Sequence, residues 1–377
     1  MKRRWRIAHR PKSSKNGYKM TKLMELLTAQ VQFHASDLIL KVGSQPTVRV
    51  NGDLVTLTDF PAINEIDIEA GLVEILKRDK IEEYKKSFEL DSSFELPSLA
   101  RFRVNLFRQR GNPGAVFRLI PSKIPTLDEL GFPKVLKDMA MRPRGLIVVT
   151  GPSGCGKSTT QASLIDYRNE NDSSHIVTVE DPVEFIHHNR KSLVTQRDVG
   201  RDTHTFANAL KFVLRQDPDV ILVGEMRDLE TISLAITAAE TGHLVIATLH
   251  TSDSISTLDR IIDVFPPHQQ NQIRMQLSLN LLCIISQNLL KRTDGPGRIA
   301  AYEILISTTG VRNLIRESKT HQLLSILQTS QNLGMLTFDA CLANLVKRKL
   351  ISIKEAEGKA LNQDSFHKEM DQLSQTK

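Results

Sequence analysis

The stretch "LIVVTGPSGCGKSTT", Leu146–Thr160, decides how the chain is read. It starts as an apolar run of strand type, passes through Gly151-x-x-x-x-Gly156-Lys157-Ser158 and continues into a segment of helical character. Each part of the pattern has a physical task. Glycines let backbone N–H groups turn inward around phosphate oxygens, and the helix that follows presents its positive end to the same anion. Gly151, Pro152, Ser153, Gly154, Cys155, Gly156, Lys157, Ser158 and Thr159 therefore form a candidate ATP-binding loop. Lys157 is expected to reach the terminal phosphates, and Ser158 to place its hydroxyl on Mg²⁺. Cys155 sits at a variable position of the loop. A thiol at a helix N-terminus can act as a redox switch. The preferred reading is plainer: any small side chain serves there, because the position contributes its backbone N–H.

Beyond the loop, "HIVTVED" (175–181), "DVILVGE" (219–225) and "HLVIATLH" (243–250) are further strand-like runs alternating with helical stretches. Near-continuous apolar strands separated by helices predict a buried, mostly parallel sheet, an α/β domain. Toward the N-terminus the pattern differs. Residues 21–33 carry a helical apolar stripe, 64–87 read as helical, and "TVRV" and "LVTL" flank an Asn51-Gly52 hairpin turn. With strand patterns in 92–111 and 114–120, this predicts a small α+β domain on an antiparallel sheet. The stretch 121–145, with Pro121, Pro125, Pro133 and Pro143, reads as a linker holding one short helix near Lys134–Met141. From about residue 305 the chain reads as helices only, near 309–317, 320–332 and 337–347. The expected division is thus a basic tail (1–19), an N-terminal domain (20–120), a linker (121–145), a P-loop core (146–304), a helical region (305–360) and a polar tail (361–377).

Composition narrows the function. The 377 residues are 40% hydrophobic and 25% charged, a globular balance. No apolar run approaches the roughly 18–20 residues that span a bilayer, and no signal peptide is evident, so a soluble cytosolic protein is expected. Three separated cysteines make neither a disulfide scaffold nor a Cys-rich zinc site. The formal charge is +7, yet residues 1–20 alone hold eight basic side chains and no acid, leaving the body close to neutral. A basic arm suits nucleic acid or anionic lipid. A solvated tail, or a true start at Met20, accounts for it more simply, and nucleic acid is not expected as a partner.

Acids and histidines follow the strands. In many P-loop enzymes an Asp at the strand end holds Mg²⁺; here Gly224 stands in that place and Glu225, the acid that remains, follows it. Its expected task is that of general base or water-positioning group. Glu180, Asp181 and Glu184 cluster after another strand, where they suit either metal or water organisation or pairing with arginines. His243 and His250 are seven residues apart, so on one extended strand they occupy opposite faces and cannot both meet one phosphate. His250, nearer the carboxyl edge of the sheet, is the better γ-phosphate sensor.

"GPSGCGKST", "VEDPVEF", "DPDVILVGEMRD" and "TGHLVIATLHT" resemble, in order and spacing, the Walker A, Asp, atypical Walker B and His boxes of the secretion and type IV pilus ATPases. "QRDVGRDTHTFANALK", "AAETGHL" and "VRNLIRE" (311–317) are similar to the pilus retraction branch, with Val311 where alanine is expected. The resemblance implies a PAS-like N-terminal domain and a RecA-like ATPase domain. It implies a homo-hexamer that hydrolyses ATP with Mg²⁺ to drive pilus retraction and twitching at the cytoplasmic face of the inner membrane. The implied partners are a membrane platform protein and a paralogous retraction ATPase. It also implies arginine sensors from the N-terminal domain, for which Arg101, Arg103, Arg108 and Arg110 are candidates. On one unbroken strand, Arg101 and Arg103 share one face and Arg108 and Arg110 the other. The catalytic set would be Lys157, Glu184, Glu225 and His250. An accessory retraction ATPase, or an assembly or type II secretion ATPase, is the alternative; a nucleic-acid-binding protein using the basic arm ranks lower.

Overall fold

The computed structural model describes residues 22–375 except 51, 97–98, 121–122 and 296. The basic tail, Asn51 and Pro121 thus lie outside the described residues. Two compact units divide between Lys123 and Ile124.

The first unit begins with α1 (Lys22–Gln32), whose buried Leu23, Leu26 and Leu27 form the apolar stripe. Then come β1 (Asp37–Lys41), β2 (Thr47–Val50), β3 (Asp53–Thr56), α2 (Glu65–Ile75), α3 (Arg78–Ser87), β4 (Leu90–Leu96), β5 (Ala100–Gln109) and β6 (Asn112–Ile120). The helical stretch read as one is two helices. An Asn64–Asp67 capping box starts α2, and Leu76 turns extended to end it. The strands form a six-stranded antiparallel sheet in the order β3-β2-β1-β6-β5-β4. Leu38, Phe102, Val104, Leu106 and Phe117 on one sheet face share a core with α1 and α2.

The second unit runs α4 (Val135–Ala140), β7 (Gly145–Thr150), α5 (Lys157–Asn171), β8 (His175–Glu180), β9 (Leu193–Asp198), α6 (Phe206–Val213), β10 (Val220–Val223), α7 (Leu229–Glu240), β11 (Leu244–Leu249), α8 (Ser254–Asp263), α9 (Pro267–Asn280), β12 (Leu281–Lys291) and β13 (Arg298–Ile306). It ends with α10 (Thr309–Arg316), α11 (Leu323–Thr329), α12 (Phe338–Lys347), α13 (Ile353–Glu357) and α14 (Gln363–Gln375). Its seven-stranded sheet has the order β13-β12-β7-β11-β10-β8-β9. Neighbours are parallel except β12 and β13. Every residue of β7, β10 and β11 is buried, as strands covered by helices on both faces require.

Three stretches depart from expectation. The hairpin β12–β13 has no counterpart in the sequence reading. β12 follows α9 without a turn residue, and the apolar run "LLCIIS" suits buried helix and buried strand equally. Residues 124–145, read as linker, are packed: Leu127, Phe132 and Leu136 belong to the core of the second unit. Residues 361–377, read as a polar tail, contain α14. Its Phe366 is fully buried in a small cluster with Leu342 and Leu345 of α12.

Candidate active site

The loop after β7 carries Gly151, Gly154 and Gly156 at φ +140°, +76° and +94°. Gly151 is required for a second reason: a Cβ there would come within 2.2 Å of the Gln287 carbonyl oxygen on β12. Gln287, buried, braces the loop from that strand. Its Nε2 donates to the Cys155 carbonyl at 2.8 Å, and its Oε1 accepts from Thr160 Oγ1 at 2.8 Å. Nothing in the sequence signals this residue, because its strand was not legible there. Cys155 is buried and its thiol is pushed up by that burial, the opposite of an activated thiolate. Gly156 caps α5, which starts at Lys157, so Ser158 lies in the first turn with its amide at the positive helix end.

At the carboxyl edge of the sheet four charged or polar groups form a row. Lys157 Nζ donates to the carbonyls of Gly151 (2.8 Å) and Pro152 (3.3 Å) and lies 3.4 Å from His250 Nδ1. An ammonium has no acceptor, so Nδ1 accepts and the imidazole proton sits on Nε2. His250 Nε2 is 3.2 Å from Glu225 Oε1, and Glu225 Oε2 is 2.8 Å from Arg227 Nη2. Burial pushes the Glu225 carboxyl up, but the hydrogen bond and charge of Arg227, joined by His250, outweigh it and hold the group below its usual value. Burial depresses Lys157, opposed by Cys155, Glu225 and Glu184. A depressed carboxyl is a weak proton acceptor and a well-fixed anion, so Glu225 is suited to orienting a water more than to deprotonating it.

Other candidates separate. His243 and His250 bound the six-residue β11 from opposite ends, which puts them roughly 20 Å apart along the strand. His243 is held by the Ala238 carbonyl at 2.9 Å, away from the loop. The three acids after β8 also part. Glu180 accepts from Thr178 Oγ1 (2.7 Å) and Gln196 Nε2 (3.3 Å), and burial pushes its carboxyl up. Asp181 is exposed and adds its charge to that around Arg227. Glu184 is the one of the three whose charge acts on Lys157.

In the first unit, Arg101 and Arg103 lie on one face of β5, with Arg103 paired to Asp91 at 2.5 Å. The expected pairing of Arg108 with Arg110 does not occur. β5 ends at Gln109, and Arg110-Gly111 form the turn to β6 with φ 51° and 79°. Arg108 instead stacks over Phe88. Register reveals a partner that the sequence hides: Arg103 is opposite Arg118, Arg118 opposite Asp37, and Asp37 opposite Arg49. Asp37 Oδ1 accepts from Arg118 Nε at 2.9 Å. One row across the sheet thus carries three arginines, of which Arg49 and Arg118 pair with the buried Asp37 while Arg103 pairs with Asp91.

A family model described as type II/IV secretion system protein matches residues 24–296. The chain belongs to that family. Within it the chain falls among the pilus retraction ATPases. It is 49% identical to the type IV pilus retractation ATPase PilT of Pseudomonas aeruginosa, over 91% of this chain and 99% of that protein. It is 41% identical to the type IV pilus ATPase PilU of the same organism, over 88% of this chain and 87% of the relative. A crystal structure of the pilus retraction motor PilT with bound ADP superposes with a TM-score of 0.85 at 43% identity, covering 93% of this chain and all of that one. That retraction motor and the present chain share the mixed α/β architecture over the 93% of this chain that superposes.

Proposed function

We propose that the chain is an ATP-hydrolysing motor that retracts type IV pili and so drives twitching. The observation that carries this reading is the near-complete, 49% identical match to the retraction ATPase, together with the row Lys157–His250–Glu225 beside an intact phosphate loop. The loop amides and Lys157 would bind the triphosphate. The residues fit Mg²⁺ in the usual P-loop manner: Ser158, in the first turn of α5, would offer its hydroxyl beside phosphate oxygens. Bound there, the ion neutralises charge on the transferring phosphoryl group. Glu225 would orient the attacking water, and His250, between Glu225 and Lys157, would report the γ-phosphate. Arginines of the first unit, with Arg103 and Arg118 now the leading pair and Arg101, Arg108 and Arg110 behind them, would add positive charge across a subunit junction of a homo-hexamer. The work would be disassembly of the fibre through a platform protein at the cytoplasmic face of the inner membrane. No helix among the described residues is long and apolar enough to cross a membrane, which suits contact through such a partner.

An accessory retraction ATPase is the second reading, supported by the 41% identity to PilU. A deletion strain carrying wild-type or Lys157→Ala copies tests both. Loss of the principal motor leaves abundant pili and no twitching. Retained twitching in the Lys157→Ala strain would favour the accessory role, and bald cells would point to an assembly motor.

A further inference from the structure

Wholly within the second unit, a cleft of about 190 Å³ opens beside the phosphate loop. Pro152, Phe338 and Leu361 form its apolar wall, and His250, Ser252, Asn288 and Lys359 its polar side. The volume is below the roughly 300 Å³ at which pockets for organic ligands begin, so the occupant is small. The lining includes a lysine ammonium, an imidazole, hydroxyls and amides, and no carboxylate. Acids adjoining the lining are engaged: Asp253 accepts from Ser252 Oγ at 2.8 Å, Asp339 accepts from the amides of Leu361 and Asn362, and Glu225 is paired with Arg227 and His250. The cleft therefore favours a small anion.

The wall that bears Lys359 is built to stay in place. The carboxylate of Asp339, buried at the start of α12, accepts from the amides of Leu361 (2.9 Å) and Asn362 (3.1 Å). α14 follows, anchored by its fully buried Phe366. A buried carboxylate is costly unless its bonds are made, and here both oxygens are spent on fixing the segment after Lys359. Lys359 itself is exposed, two residues beyond α13, with its amide on the Ala356 carbonyl at 3.0 Å. Position completes the case. Pro152 takes a hydrogen bond from Lys157, and the His250 ring both contacts Lys157 and lines the cleft.

We propose that this cleft binds inorganic phosphate, the product of ATP hydrolysis, with Lys359 as its principal cation. The identity of the anion rests on the motor reading above; the anion site does not. Through Asp339 and Phe366 the site would make the C-terminal helices the first element to register phosphate after it leaves the P-loop.

Calorimetric titration of inorganic phosphate into the full chain tests the proposal without turnover, so it stands or falls independently of any ATPase activity. Lys359→Met should weaken phosphate binding on the order of tenfold, the loss of one charge-assisted contact, and Lys359→Arg should restore most of it. Lys157→Ala, which disables the P-loop, should still bind phosphate, and adding Lys359→Met to it should weaken that binding by about the same tenfold factor. Unchanged melting of the Lys359 variants separates a local effect from misfolding. Phosphate binding that vanishes with Lys157→Ala and ignores Lys359→Met would assign all of it to the P-loop and overturn the proposal, as would no detectable binding by the wild type.

Discussion

The two neighbours of β7 do different work for the same loop. On one side β11, and β10 beyond it, deliver His250 and Glu225 to the row that ends on Lys157. On the other side β12 delivers Gln287, which touches the loop backbone and Thr160 and carries no charge. In the proposed mechanism the first side would supply groups whose protonation and charge matter to the reaction. The second fixes the shape that makes the loop a phosphate cradle. Chemistry and architecture are thus separated by a single strand, and substitutions on the two sides should fail in different ways.

The largest effect is expected on the β11 side. Glu225→Gln should lower kcat by about 10²-fold, the cost of a misplaced attacking water, while nucleotide binding is kept, read by ATPase assay and ADP titration. The wild-type acid limb adds a check. A carboxyl held below its usual value stays ionised until pH falls beneath that depressed value. Loss of activity between pH 5 and 7 would therefore belong to another group, and an acid limb there that Glu225→Gln abolishes would contradict the assignment. Next, His250→Ala should cost on the order of ten- to a hundredfold, the loss of one hydrogen bond to a charged group. His243→Ala, at the far end of the same strand, should stay within about twofold; equal losses would erase the distinction between the two ends.

Gln287→Leu tests the β12 side. It leaves the Cys155 carbonyl and the Thr160 hydroxyl without their partner, at about 1–3 kcal/mol for each buried group. The expected signature is a lower Tm and a raised KM with a smaller change in kcat. A pure kcat defect would move Gln287 to the chemical side. The smallest effect belongs to Cys155→Ala, whose ATPase rate should remain within about twofold of wild type. Its buried, raised thiol should also react slowly with alkylating reagents at neutral pH, and rapid inactivation by such a reagent would revive the redox reading.

The same division explains what the sequence made legible. The parallel strands are short, apolar and bounded by Gly, Pro, His and Asp, so β7, β8, β10 and β11 could be read within a residue or two. The P-loop and Glu225 were legible because phosphate chemistry restricts residue types at fixed spacing. β12 and Gln287 were not, since an apolar run continuing from a helix has no period of its own and an amide brace has no motif. The segment 124–145 was misread because its prolines signal turns while Leu127, Phe132 and Leu136 are spaced too irregularly to announce a core. Arg118 shares its face with Arg103 only through strand register, which a single strand pattern does not contain. Lys359 depends on Asp339 and a helix that polarity alone presents as a tail.

The central claim is that hydrolysis at Glu225 powers retraction. Its most direct test is to watch labelled pili in cells whose only copy carries Glu225→Gln. The account predicts pili in normal or raised number that extend and do not retract, with twitching lost. Retraction at the wild-type frequency, or cells without pili, would contradict it.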